Sequence, residues 1–405
     1  MSNSTRSLII KEITEELNVP ASAYEAAALR YDDLGNWLQD PSKAISASFN
    51  PHIKPQGSFR LGTVTRPWKR DDFDLDFTCI LQEGFSKSTH TQKELKELIG
   101  HDLEKYRKER KIQEKLKEKH RCWRLKYQDQ LKFHMDGVPA IPEDVTTRIV
   151  LQERMMGAGI TEPLAHTVAE LSVAITDNQE PSYPIISPRW NISNPEGYAK
   201  WFEFRMQQAK ELLESRVVEA MVAKLDQLPV YRWKTPLQIC IQILKRHRDI
   251  MFENDPDVKP ISIIITTLAA RAYQGESDLE AALERIVTTM GHFVQPTAPK
   301  VANPVNPAED FADKWPRDSR LEANFRKWLT QVQKNFSFWG KSDDLAVIAK
   351  DVSERFGVHI DQAKLKRQHG LLSKVAAITA GAAHTGPNGI IGSTGIINKG
   401  HEFYG

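Results

Sequence analysis

The chain has 405 residues, of which 40% are hydrophobic and 27% charged, and its formal net charge is +2. These values are typical of a globular protein large enough for two packed lobes. The near balance of charge argues against a protein that mainly grips long nucleic acid, because such binding needs a strongly cationic surface. Three scattered cysteines, and the lack of a signal-peptide or membrane-spanning run, predict a cytoplasmic protein without disulfides, a zinc site or a membrane partner.

The first third of the chain is predicted to hold the strands. Apolar spacing predicts an opening helix over residues 21–39, and a strand–turn–strand region follows at 52–81. The lysine- and glutamate-rich segment 91–120 predicts a long, solvated helix, with a surface for acidic partners as the alternative. Two alternating runs, 122–127 and 131–138, predict further strands.

From residue 195 onward the pattern is mainly helical. Helices are predicted at 195–224, 235–252, 262–273, 279–291 and, after a loop at 295–307 rich in proline and asparagine, 308–336. Strands followed by helices predict an α+β fold of two lobes. We expect a first lobe over 1–190 that includes the N-terminal helix, a helical lobe over 191–375, and a flexible, glycine-rich tail over 376–405.

Aspartates alternate with large apolar residues just before the end of the early strand region. In a strand, one face would carry Phe73, Leu75 and Phe77, and the other would carry Asp72, Asp74 and Asp76. Crowded carboxylates repel one another, so a fold that keeps them together usually supplies cations. Carboxylate oxygens at this spacing suit magnesium, and the alternative is a solvated acidic edge strand.

A small-residue turn lies just upstream of these aspartates. Gly57-Ser58 is followed by Gly62-Thr63. Glycine lets backbone amides come close to a ligand and the hydroxyls add donors, a combination that can bind phosphate. A glycine-serine pair alone means little, but the pair followed by an Asp-x-Asp strand predicts a triphosphate site beside a metal site.

A third carboxylate is predicted on the next strand, because two metal ions need more ligands than one strand provides. Asp136 ends an alternating run in which Leu131, Phe133 and Met135 would share the buried face. His134 lies on the same face as Asp136, where a structural or exposed histidine is more common than a ligand.

The order GSFRLGT, DLD and HMDGVP resembles the DNA polymerase β-like nucleotidyltransferase superfamily. Within it, the chain resembles the bacterial cGAS/DncV-like nucleotidyltransferases, the cyclic oligonucleotide synthases of anti-phage systems. The segments WNISNPEGYAKWF, LQICIQILKRHRD and KPISIIITTLAA support the narrower resemblance, which spans about residues 24–328. The zinc insertion of the animal DNA sensor is absent from the sequence, so activation by duplex DNA is not implied.

The resemblance implies a role for each matching residue. The catalytic, metal-binding set would be Asp74, Asp76 and Asp136, holding two Mg²⁺ ions, with Mn²⁺ as the alternative. The donor phosphates would contact Gln56, Gly57, Ser58, Lys245 and Ser262. The alternatives are a solvated helix end for Lys245 and a plain helix cap for Ser262. Candidates for base contacts or other nucleotide binding are Asn303, Asn306 and Asp310.

The implied fold is a polymerase β-like core with a nucleotide-binding helical lobe, as in poly(A) polymerase and oligoadenylate synthase. The implied reaction joins nucleoside triphosphates, ATP expected among them, into a cyclic di- or trinucleotide that acts on a downstream effector. Two alternatives stay open. One is a nucleotidyltransferase that tails an RNA acceptor, and the other is a catalytically silent scaffold protein.

The glycine-rich tail ends in Phe403-Tyr404-Gly405. It resembles the tails that ubiquitin-type enzymes activate, which predicts conjugation through Gly405 by a partner of the ubiquitin-activating type. The alternative is a disordered tail without a partner.

Overall fold

The computed structural model describes residues 3–69, 72–128, 132–207, 234–341, 344–361, 363 and 367. The helices in this part of the chain are α1 (Asn3–Leu17), α2 (Ala21–Gln39), α3 (Gly57–Arg60), α4 (Gln92–Glu109), α5 (Val145–Gly157), α6 (Glu162–Glu170), α7 (Pro195–Gln207), α8 (Pro236–Met251), α9 (Ser262–Ala272), α10 (Leu279–Thr289), α11 (Ser319–Lys341) and α12 (Leu345–Phe356). The strands are β1 (Pro51–Gln56), β2 (Phe73–Leu81), β3 (Lys117–Glu118), β4 (Trp123–Tyr127), β5 (Phe133–Pro142), β6 (Val173–Ile175), β7 (Asn191–Ser193), β8 (Ala302–Asn303) and β9 (Asn306–Asp310).

Strands β1 to β7 form one mixed sheet. Its order is β1-β2-β5-β4-β3, with β6 paired to β5 and β7 paired to β6. Strands β2 and β5 run parallel, so the chain crosses between them through α4, whose start is fixed by a capping box between Thr91 and Glu94. The predicted α+β fold of two lobes, with a sheet lobe and a helical lobe, is confirmed.

Two large hydrophobic clusters form the core. The sheet cluster contains Phe73, Leu75 and Phe77, packed with apolar residues of α2 and α4. The apolar face predicted for this strand is therefore its buried face. The helical cluster is built on α8, α9 and α10 and also takes in apolar residues of α1, α5 and α6. Helices from before residue 190 thus pack with the later lobe, and the predicted boundary there stays a prediction.

Several predicted elements differ from the structure. Helix α4 ends at Glu109, and the following lysine-rich segment forms edge strand β3 instead of more helix. Its lysines at 115, 117 and 119 alternate, which is the period of a strand. Residues 302–310 form a hairpin where a loop and a helix start were predicted. Helices α1, α5 and α6 were not predicted.

Other predictions fall partly or wholly outside the described residues. The helix predicted over 195–224 is described only as α7, and the tail 376–405 with its conjugation candidate Gly405 is not described. Among the helices that are described, none combines the length and the apolar composition needed to cross a bilayer.

A charged cluster joins the start of the sheet lobe to helix α7. Arg60 donates to Glu196 through Nε at 3.1 Å and Nη2 at 2.7 Å, and to Glu203 through Nη1 at 2.7 Å. The Arg60 residue is 9% exposed, so these bonds are shielded from solvent. The cluster therefore holds the turn after Gly57 against the helical lobe.

Replacing Arg60 with Met should destabilise the protein, because it leaves two mostly buried glutamates for which Lys200, at 3.4 Å from Glu203, is the remaining cation among the described residues. We expect the free energy of unfolding, measured by urea titration, to fall by about 2 kcal/mol. A variant that also carries Glu196→Gln and Glu203→Gln should recover most of this loss. Equal losses in the two variants would contradict the electrostatic account.

Candidate active site

Three carboxylates converge where the parallel strands lie side by side. Asp74 and Asp76 are on β2, Asp136 is on β5, and Asp76 is the direct register partner of Asp136. One oxygen from each of the three side chains lies within 4.8 Å of the others. This set of hard oxygen donors fits a divalent cation such as magnesium or manganese.

The neighbouring strands supply polar and charged partners to the aspartates on this face. Arg124, the cross-strand partner of Asp136 on β4, donates to both of its carboxylate oxygens, at 2.7 and 2.6 Å. His134 Nε2 lies 2.9 Å from Asp74 Oδ1, and Lys126 Nζ lies 2.8 Å from Asp72 Oδ2. The repulsion expected from the sequence is therefore offset by partners on β4 and β5.

The Asp76 carboxyl group has a strongly shifted pKa. Burial, and then the carboxylates of Asp74 and Asp136, raise the pKa of Asp76 well above its ordinary value, while Arg124 opposes the shift. A bound divalent cation would favour the ionised carboxylate and reverse this effect. The residues present therefore fit a metal centre in both their donor atoms and their electrostatics.

The glycine-serine turn is positioned against the same aspartates. Gly57 has a positive φ of 69°, and a Cβ added there would overlap the Asp76 carboxylate. Glycine is thus needed both for its backbone conformation and for the close approach. Ser58 lines the same cleft as Asp74 and Asp76, and its carbonyl accepts the Thr63 N–H at 2.9 Å, which closes the turn.

Helix α8 holds the segment that follows this turn. Thr235 caps the helix and Pro236 begins it. A buried polar stripe then binds the turn: Gln238 Nε2 donates to the Leu61 carbonyl at 2.9 Å, and Gln242 donates to the Val64 carbonyl. Lys245, one turn further on, donates to Thr63 Oγ1 at 3.1 Å. The helix therefore fixes the backbone beside the aspartates by hydrogen bonds rather than by apolar contact alone.

Lys245 and Arg248 bring positive charge to the cleft. Lys245 is 6% exposed, and burial lowers its pKa to about 7, with the Arg248 charge adding to the shift. Arg248 Nη1 donates to Ser262 Oγ at 2.9 Å. The structure places Ser262 at the first turn of α9 after the cap position Ile261, so the alternative role of Ser262 as the cap is wrong.

The cleft itself has a volume of about 640 Å³. It is lined by Gly57, Ser58, Lys245 and Ser262 together with two of the aspartates, so the structure brings most of the predicted phosphate and metal residues together. Sequence reasoning missed further basic lining residues, namely Lys117, Lys119, Arg124, Lys126, Arg248 and Lys259. The alternating lysines of 115–119 were the available signal for two of them.

A second cavity of about 310 Å³ adjoins the first, because Gly57 and Asp76 line both. Gln56 and Asn303 line this second cavity and not the first. Asp310 lines neither; its carboxylate accepts backbone N–H groups of Lys300, Val301 and Ala312 at 2.8 to 2.9 Å. That carboxylate organises the hairpin loop, and we do not retain Asp310 as a nucleotide contact.

Comparisons with known proteins agree with this geometry. Residues 51–140 match the family described as cyclic GMP-AMP synthase DncV-like, nucleotidyltransferase domain. A c-di-GMP synthase of Roseivirga ehrenbergii is 26% identical over 331 residues, which is 81% of this chain and 77% of the relative.

Two solved structures have the same fold. The CD-NTase CdnG of Bradyrhizobium diazoefficiens, in complex with GTP, is 18% identical, has a TM-score of 0.61, and the match covers 92% of this chain and 100% of the other. CdnC of E. coli, in a CdnC:HORMA-deltaN complex, is 12% identical, with a TM-score of 0.54 and coverage of 86% and 95%.

Replacing Arg124 with Met should make the protein more dependent on metal. Without the guanidinium, Asp136 faces Asp76 with no cross-strand cation, so the melting temperature in EDTA should fall by several degrees. Adding Mn²⁺ should raise the melting temperature more in this variant than in the wild type, because the ion takes over the lost charge. Arg154→Met, at an exposed helix position, is the control. The same Mn²⁺-induced rise in all three proteins would refute the role of Arg124.

Replacing Lys245 with Met should stabilise the nucleotide-free protein. In the unfolded chain this lysine keeps its ordinary pKa near 10.5, whereas in the folded chain the pKa is about 7. The cost of burying the ammonium is therefore full below pH 7 and shrinks as pH rises toward 10.5. We expect the melting temperature to rise by about 3 °C at pH 6 and by less at pH 9. Lys350→Met, with a side chain 77% exposed, should show neither effect; a pH-independent gain at Lys245 would contradict the buried-charge explanation.

Proposed function

Because this chain belongs to the DncV-like nucleotidyltransferases, we propose that it joins nucleoside triphosphates into a cyclic dinucleotide and releases pyrophosphate. The observation that carries the proposal is the position of the three carboxylates. Asp76, beside Gly57, lies where a basic cleft and a smaller cavity meet, so two nucleotides can be held with their reacting groups at the metal centre.

The basic cleft supplies the groups that bind the donor triphosphate. Ser58 and the backbone around Gly57 lie beside the aspartates, and Lys245, Arg248 and Ser262, from α8 and α9, line the same cleft. Because Lys245 is desolvated, an incoming phosphate would restore charge balance to it and raise its pKa. We therefore assign Lys245 to the phosphates, with Arg248 and Ser262 as a hydrogen-bonded pair beside it.

The metal centre is assigned to Asp74, Asp76 and Asp136. Divalent cations held there, two Mg²⁺ with Mn²⁺ as the alternative, would supply Lewis-acid stabilisation of the charge on the transferred phosphoryl group. Each Asp136 oxygen accepts one hydrogen bond from Arg124 and keeps a lone pair that could hold a metal ion. The Arg124 guanidinium lines the cleft, where it can pair with phosphate.

The transfer step is a single displacement. The acceptor hydroxyl oxygen bonds to the donor α-phosphorus, the bond from that phosphorus to the β-phosphate oxygen breaks, and pyrophosphate leaves with the electron pair. The hydroxyl proton passes to a carboxylate oxygen, for which Asp136 is the proposed acceptor. The linear dinucleotide keeps a 5′-triphosphate, so it can turn in the cleft and undergo the same step again, which closes the ring.

The synthase interpretation is favoured over the RNA-tailing and scaffold alternatives, because the curated relatives are named as cyclic dinucleotide synthases. We propose GTP and ATP as the candidate substrates, and phage defence, through an effector that binds the product, as the setting. Conjugation through Gly405 stays a prediction.

Replacing Asp74 or Asp76 with Asn should reduce cyclic product formation by at least about 1,000-fold, because each change removes a metal ligand from the transferring centre. The measurement is mass spectrometry of phosphatase-treated reactions that contain all four nucleoside triphosphates with Mg²⁺ or Mn²⁺. Asp72→Asn is the matched control, since Asp72 lies on the same face but pairs with Lys126, and it should lose less than about tenfold. Normal product from either metal-site variant would overturn the assignment.

A further inference from the structure

The smaller cavity contains a carboxylate that the transfer step does not use. Glu309 lies on β9, in the hairpin that faces α7 and α9 across the cavity. Asn303, on the paired strand β8, donates from Nδ2 to Glu309 Oε2 at 2.7 Å, and its own Oδ1 accepts the Val305 N–H at 3.0 Å. Both ends of the Asn303 amide are therefore engaged in holding Glu309 in place.

Glu309 is partly buried without a strong counter-charge. In the described part of the chain, no lysine or arginine forms a salt bridge with it; the Arg121 guanidinium, which pairs with Asp177 at 2.7 Å, acts on Glu309 only through its charge. Burial is the main cause that raises the pKa of Glu309, and the Asn303 hydrogen bond only partly offsets it. A carboxylate in this position is stabilised by a ligand that donates N–H groups to it.

The walls of the cavity suit a flat aromatic ligand. The rings of Tyr198 and Phe311 lie 6.2 Å apart between centroids and at 70°, and Ile263 adds an apolar surface. The Tyr198 hydroxyl is engaged with Thr267 Oγ1 at 2.8 Å, so this tyrosine offers the cavity its ring rather than a polar group. Every nucleobase can stack on an aromatic ring, so discrimination between bases depends on the polar groups of the cavity.

Two other polar side chains that line the cavity, Asn194 and Arg60, are engaged within the fold. Asn194 donates to the Val168 carbonyl at 2.7 Å and accepts from the Gly197 N–H at 2.9 Å. Arg60 is held by Glu196 and Glu203. Asp76, the other carboxylate that lines the cavity, is assigned to the metal centre, whereas Glu309 accepts one hydrogen bond from Asn303 and keeps acceptor capacity for a ligand.

We propose that the smaller cavity binds the base of a guanine nucleotide and that Glu309 accepts hydrogen bonds from its N1–H and N2 amino groups. Guanine carries two N–H donors side by side on its Watson–Crick edge. Adenine and cytosine place a donor beside an acceptor, and uracil places one donor between two carbonyl oxygens. An ionised carboxylate, which only accepts, therefore makes a paired contact with guanine alone. The inference rests on the proposed function for the presence of a nucleotide in this cavity.

The test is calorimetric binding of unreactive α,β-methylene analogues of GTP, ITP and ATP to the full chain in Mg²⁺. Hypoxanthine keeps N1–H but lacks the N2 amino group. The wild type should therefore bind the GTP analogue about tenfold more tightly than the ITP analogue and more tightly still than the ATP analogue. Glu309→Gln should weaken the GTP analogue by about 10- to 100-fold and leave the ATP analogue within about threefold.

Controls separate recognition from structure. Glu153→Gln, on an exposed face of α5, should not change any of the three affinities. Equal weakening of the GTP and ATP analogues by Glu309→Gln would mean that Glu309 only supports the hairpin, and would overturn the guanine assignment. Equal wild-type affinity for the three analogues, with cyclic product still formed, would overturn this inference and leave the proposed function standing. Failure of all three to bind, with no product formed, would overturn both.

Discussion

The parallel pairing of β2 with β5 is the constraint on which the site depends. Its register puts Asp76 opposite Asp136, and alternation along β2 adds Asp74 on the same face. A shift of one residue would turn these carboxylates into the core and Phe77 into the cleft. Because this register concentrates negative charge, the next strand must supply compensation, which it does through the bidentate contact of Arg124.

The same site shows that polar groups are buried for function at some cost to stability. Lys245 and Asp76 are both desolvated, with pKa values shifted toward the neutral form, and neither has a fully compensating partner among the described residues. Substrate phosphates and metal ions would supply the compensating charges. The fold itself positions the side chains that would bind them. Helix α8 makes this possible, because its buried glutamines fix the neighbouring carbonyls independently of ligand.

Local sequence patterns were sufficient for the elements that carry the reacting groups. Alternation identified β2, and the helical pattern identified α8. The order of the motifs predicted that Asp136 joins Asp74 in one metal site. Features that depend on pairing between residues far apart in the chain could not be predicted from local sequence patterns. Arg124 acts through its register with Asp136, which no spacing along β4 reveals. The hairpin bearing Glu309 has few apolar residues, and its prolines and asparagines gave it the composition of a loop.

The division into two cavities has a consequence for ring closure. The basic cleft can hold either triphosphate, because its lysines and arginines respond to charge and not to the base. The linear intermediate must leave its first position and re-enter the same metal centre, so base recognition has to be selective without being tight. Two hydrogen bonds to a partly buried carboxylate, beside aromatic rings that do not distinguish one base from another, satisfy this requirement. A deeper cavity with more polar contacts would bind the intermediate more strongly and slow its turn, since uniform binding does not accelerate the transfer step.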